Sequence, residues 1–135
     1  MMGVRLAVMS EGVELSAVET ETEDDFMYFR DSVCMALEGN DFGSRFPVFQ
    51  RKFFSDWDAD EVAVLERELS RMHADMRKLP PKPLDSNWAS KLAVSGRQPE
   101  TLAEVFIDKT GAPLMEALVA LTQLARERSL AVNWI

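Results

Sequence analysis

Val62, Leu65, Leu69, Met72, Met76 and Leu79 recur at alternating spacings of three and four residues. That period lines them up along one face of an α-helix, so the chain must bury one side of a long helix. Asp58 and Glu61 stand at capping-box spacing just before the stripe. Pro80, Pro81 and Pro83 follow it; they lack amide donors and restrict the residue before them, which ends the helix. The stripe covers about two and a half heptads, short of the three or four that mark a coiled coil. A core-facing helix is the expectation.

What the helix packs on is written at the two ends of the chain. Val4, Leu6 and Val8 alternate with Arg5 and Ala7, and after Gly12 a second alternation runs through Val13, Leu15 and Ala17. This predicts a hairpin. Residues 130–135 form an apolar tail, expected to dock as a closing strand. Between these strands, Thr22 and Asp25 open a helix over about 23–38, with Phe26, Phe29, Val33 and Leu37 at helical intervals and Gly39 as its stop. The irregular stretch 40–47 leads into an expected short strand over 48–53. A brief helix is expected from Ser86 through Trp88 and Leu92, a capping box at Thr101 and Glu104, and a turn at Asp108-Lys109-Thr110-Gly111. Pro113 suits the first position of a last helix with the stripe Leu114, Leu118, Leu121 and Ala125. Strands at both ends and three main helices between them predict an α+β fold, with an antiparallel or mixed sheet backed by helices. The 135 residues suit a single domain over 1–135.

Charge and cysteine usage narrow the function classes. The formal net charge is −8, from 23 acidic and 15 basic residues. Such a balance disfavours direct binding to nucleic acid or anionic membranes, which relies on Lys and Arg against phosphates, and favours cationic partners. One cysteine, Cys34, excludes an intramolecular disulfide and any multi-cysteine zinc site. No apolar run is long enough for a signal peptide or a membrane span, so a cytoplasmic location is expected.

Candidate chemistry is sparse. His73 is the only histidine and lies in the long helix without a nucleophile motif, which fits a boundary or surface residue. Cys34 has Asp31 and Glu38 within about one helical turn, the wrong sign to activate a thiolate. Asp56, Asp58, Asp60 and Glu61 resemble the start of a calcium loop, but Glu61 and Arg67 stand where such a loop needs Gly and Glu. No phosphate loop, G-x-S-x-G or H-E-x-x-H pattern occurs. The expectation is therefore no catalytic residues, no metal and no cofactor.

Acidic clusters are the more informative feature. Residues 11–25 hold Glu11, Glu14, Glu19, Glu21, Glu23, Asp24 and Asp25 with no Lys or Arg. Charge on a hairpin edge guards against strand-to-strand aggregation; it equally builds a face for a cationic partner. The second reading assigns partner binding to Glu19, Glu21, Glu23, Asp24, Asp25, Asp56, Asp58 and Asp60, with Trp57 as an aromatic anchor.

In order along the chain, Phe26-x-x-Phe29-Arg30-Asp31, Gly43-Ser44-Arg45-Phe46-Pro47, Leu79-Pro80-Pro81-x-Pro83, Trp88, Phe106-Ile107-Asp108 and Gly111-x-Pro113-Leu114 form a pattern. It resembles the immunity protein 70 family of bacterial polymorphic toxin systems over almost the full length. The resemblance implies a cytoplasmic antidote that binds and neutralises a cognate toxin domain, with no catalytic residues to carry over. An acidic secretion chaperone or adaptor, which would hold an extended, unfolded partner segment, is the alternative. A small carboxylate-based enzyme is the third reading. Eight Met and three Trp leave both monomer and homodimer open.

Overall fold

The middle strand of the sheet is the first in the chain, β1 (Arg5–Ser10), flanked by β2 (Val13–Glu19) and β3 (Asn133–Trp134) in the order β2-β1-β3, all antiparallel. The computed structural model describes residues 4–51, 55–81, 93, 94, 96 and 98–135. Among the described residues, four helices follow the hairpin: α1 (Glu23–Leu37), the short α2 (Pro47–Arg51), α3 (Ala59–Met76) and α4 (Leu114–Arg128), with a 3₁₀ turn at Leu102–Glu104. The architecture is the expected α+β, a three-stranded sheet with three main helices. The expected helix through Ser86, Trp88 and Leu92 lies outside the described residues.

The sheet has one helix-packed face. Leu6, Val8 and Val18 point into the core, where they join Phe26, Phe29, Phe49, Trp57 and the α3 and α4 stripes. The α3 stripe is buried as its period requires, from Val62 through Met76, with Leu79 packed at its margin. Leu114, Leu118, Leu121 and Ala125 of α4 face it. Thr22 caps α1 through Asp25 N–H at 3.2 Å, and the Asp25 carboxylate answers Thr22 N–H at 3.3 Å. Asp58 N–H likewise donates to Glu61 Oε1 at 3.0 Å.

The pairing with β1 decides which alternation of β2 meets the core, Val18 standing opposite Leu6 and Ser16 opposite Val8. Met9 pairs with Glu14 while Val8 pairs with Ser16, so Leu15 is the extra residue of a β-bulge. A bulge resets the inward–outward alternation. Val18 meets the core because it stands opposite Leu6 in the register before the bulge, while Val13 and Leu15, at the hairpin end of the strand, are 62% and 37% exposed.

The expected strand over 48–53 is instead α2, and two buried carboxylates explain it. Pro47 provides a fixed helical φ at the first position. Glu68, projecting from α3, accepts the N–H groups of Phe49 at 2.9 Å and Val48 at 3.2 Å, donors that an isolated helix start leaves unpaired. Glu38, at the C-cap of α1, curls into the following loop. One oxygen accepts Gly43, Arg45 and Phe46 N–H at 2.9, 3.1 and 3.0 Å, and the other accepts Gln50 Nε2 at 2.9 Å. Gly39, Asn40 and Gly43 adopt positive φ to turn the chain around it. Arg30 closes the arrangement through Nε to Gln50 Oε1 at 3.1 Å.

Two smaller differences concern caps. Thr101 precedes the 3₁₀ turn without making a side-chain cap bond, and the Glu104 carboxylate takes Glu100 N–H instead. Pro113 occupies the N-cap of α4, one position before the expected one. The Asp108 turn forms as read, its Oδ1 accepting Thr110 N–H at 2.8 Å and Ala112 N–H at 3.0 Å.

Candidate protein-binding surface

The acidic segments, far apart in sequence, converge on one end of the sheet. Arg5 pairs with Glu19 on one side, and its carbonyl accepts Ile135 N–H at 2.9 Å on the other. Leu6, one residue on, pairs with Val18 and Trp134. The chain leaves β2 at this end and enters α1 after three residues held by the Thr20 hydroxyl, which donates to the Thr22 carbonyl at 2.8 Å. The start of α3 is tied to the same end, because Asp56 Oδ1 accepts Trp134 N–H at 2.8 Å. The Trp134 ring lies 5.6 Å from Phe26, in the first turn of α1, and 5.9 Å from Trp57, just before α3. Trp134 thus joins the two acidic helix starts.

Side-chain exposure divides the candidate residues. Glu21, Glu23, Asp24, Asp56, Asp58 and Asp60 are exposed, and Glu19 and Asp25 are half-buried. Asp25 is engaged in its capping box. Glu19 has a cation nearby, Lys109 Nζ at 3.6 Å. Glu23, Asp24, Asp25, Asp60 and Glu61 lie in first helical turns, where the positive end of the macrodipole offsets part of their mutual repulsion.

Trp57 is the correction. It was expected as an exposed anchor, but it is 1% exposed. Its indole stacks at 5° on Phe49, and Nε1 donates to the Val48 carbonyl at 2.9 Å. Trp57 also bridges Val132 in both directions at 2.9 Å, which extends the sheet beyond β3. Its place between two elements that cross the core, rather than its acidic neighbours, decides its exposure.

Aromatic exposure occurs elsewhere, at the far end of α1. Phe42 and Met35 are 44% and 64% exposed. The Arg30 guanidinium stands 4.5 Å over the Phe42 ring. Sequence reading missed this pair, because Phe42 follows a glycine-rich turn with no periodicity to report its direction.

The remaining chemical candidates behave as packing. Cys34 is buried; burial first, then the nearby Glu38, Asp31 and Asp41 carboxylates, push its thiol up. Burial also raises Glu68, against the two backbone N–H groups that favour its charged form. Asp75 is held below the usual carboxylate range by its hydrogen bond to Arg45 Nη2 at 2.6 Å. His73 is half-buried on α3. Among the described residues no group of three or more His, Cys, Asp and Glu is arranged to hold a metal ion, and no helix is long and apolar enough to cross a membrane. The void between the sheet and the α3–α4 pair, lined by Leu6, Leu65 and Leu118 among others, is apolar and about 10 Å³, room for one water at most.

Comparison with known proteins adds one finding. A family model described as Immunity protein 70 matches residues 12–133, from the hairpin turn into β3. No curated protein and no solved structure matches the chain.

Proposed function

From the premise that the chain belongs to the immunity protein 70 family, we propose that it binds and neutralises a cognate toxin domain in the cytoplasm, without catalysis of its own, through the acidic end of its sheet. The observation that carries the surface assignment is convergence: Trp134 brings two acidic helix starts together, and their outermost carboxylates remain in solvent. A toxin that acts on a polyanion needs a basic cleft. An acidic surface enters such a cleft in place of the substrate and is steered to it by long-range attraction. The carboxylates stand on helix ends fixed by capping boxes, so little ordering is required on binding.

The test is a charge-reversal series at Glu21, Glu23 and Asp24, read as toxin neutralisation in cells and as salt dependence of binding in vitro. Reversal is expected to weaken neutralisation and flatten the salt dependence. Unchanged neutralisation with unchanged salt dependence would remove the acidic end from the interface. An adaptor for unfolded segments would instead bind a denatured toxin domain as well as the folded one.

A further inference from the structure

The two edges of the sheet are unlike. Beyond β3, the Trp57–Val132 bridge continues the pairing and closes that side. β2 is the other edge. Thr20 N–H donates to the Val4 carbonyl at 2.9 Å, which fixes the phase of the β1–β2 ladder. Val18 and Ser16 then bond to β1, and the backbone groups of Glu19 and Ala17 point outward, away from it. One outward group is already used: the Glu19 carbonyl accepts Lys109 N–H at 2.7 Å while Lys109 Nζ approaches the Glu19 carboxylate at 3.6 Å. The chain thus contains a one-residue example of a cationic segment laid along this edge.

We infer that the open part of β2, from Val13 to Ala17, accepts an extended segment of a partner protein that carries Lys or Arg at alternate positions. The inference rests on the reading that the chain binds a protein, and it adds a second mode of contact. Ala17 supplies the outward N–H and C=O; exposed Val13 and Leu15 supply apolar grip; Glu11 selects cations, and Glu14 and Glu19, which already hold Arg5 and Lys109, show that the glutamates of this strand take cationic side chains. A second copy of the chain is the wrong occupant, because β2 against β2 sets these glutamates against each other.

The experiment follows backbone amides by NMR as the full chain is titrated with a synthetic peptide of about eight residues, alternating Lys with Val or Thr. An otherwise identical peptide with Glu for Lys is the control. Shifts confined to β2, with slowed exchange at the Ala17 amide, are expected for the Lys peptide alone. Ala17→Pro removes an amide that β1 does not use, and Leu15→Lys places a cation on the open edge. Each is expected to weaken binding by at least about tenfold, and Leu15→Lys tests the idea even if Ala17→Pro disturbs the strand. The absence of shifts in β2 at millimolar peptide, equal binding of the Glu peptide, or shifts only over residues 21–25 would overturn it. Because no toxin is present, such a failure is separate from failure of the charge-reversal series.

Discussion

The two ends of α1 use the same kind of side chain to opposite effect. At its N-terminus Glu23, Asp24 and Asp25 favour the helix dipole, and Glu23 and Asp24 stay in solvent. At its C-terminus Glu38 stands where a carboxylate opposes the dipole, and the last turn has no basic residue. It is nevertheless 5% exposed, because four N–H donors converge on it. A carboxylate in water adds charge to a surface at little structural cost. A buried one is tolerated only when donors satisfy it, and then it organises the chain that supplies them. Charge patterning alone does not separate these roles; the backbone around each carboxylate does.

Breaking the buried side has the largest expected effect. Glu38→Ala leaves the amides of Gly43, Arg45 and Phe46 without their acceptor. It is expected to cost about 3 kcal/mol or more, read from urea denaturation. A loss under about 1 kcal/mol would show that water replaces the carboxylate and that Glu38 does not hold the loop.

Glu68 sharpens the contrast through pH. Its folded-state pKa is raised, chiefly by burial. Its stabilising contribution is therefore complete below the unfolded-state value and is lost as pH rises through the folded one. Stability relative to Glu68→Gln is expected to fall across that window, with the midpoint of denaturation followed against pH. A wild-type and variant difference that is flat with pH would contradict a raised value.

The Arg45–Asp75 pair is an intermediate case, partly exposed on both partners. Asp75 is depressed, so its contribution is present above its unfolded-state pKa and lost as pH falls through the folded value. Arg45→Ala is expected to cost at most about 1 kcal/mol, less at high salt. The smallest structural effect belongs to the acidic end. Reversing Glu21, Glu23 and Asp24 to Lys is expected to change stability by no more than about 1 kcal/mol, since the lost dipole interactions of Glu23 and Asp24 are offset in part by relieved repulsion.

These differences also explain what could be read from sequence. The α3 stripe and the Thr22–Asp25 box are local patterns, and the helices they predict are the ones observed. The closing strand was legible because an apolar tail must find a partner. The helix at Pro47–Arg51 was not, because its first amides are satisfied by Glu38 and Glu68, which stand 8 residues before Phe46 and 19 and 20 residues after Phe49 and Val48. The core face of β2 could not be read from the alternation, because Val13, Leu15 and Ala17 form the longer apolar set while the register with β1, which places Val18 opposite Leu6, is set by long-range pairing. For the candidate surface, the acidic residues could be named in advance, but not their meeting at Trp134. Trp57 was misassigned because a tryptophan flanked by Asp56 and Asp58 looks solvent-facing until its bridge to Val132 is known.

The claim that the solvated carboxylates form the partner surface is tested most directly by the association rate with the proposed toxin partner, measured across salt concentrations. The account predicts a rate that falls steeply as salt rises, and a slower, nearly salt-independent rate after reversal of Glu21, Glu23 and Asp24. Identical rates and identical salt slopes for the native chain and the reversed variant would contradict it.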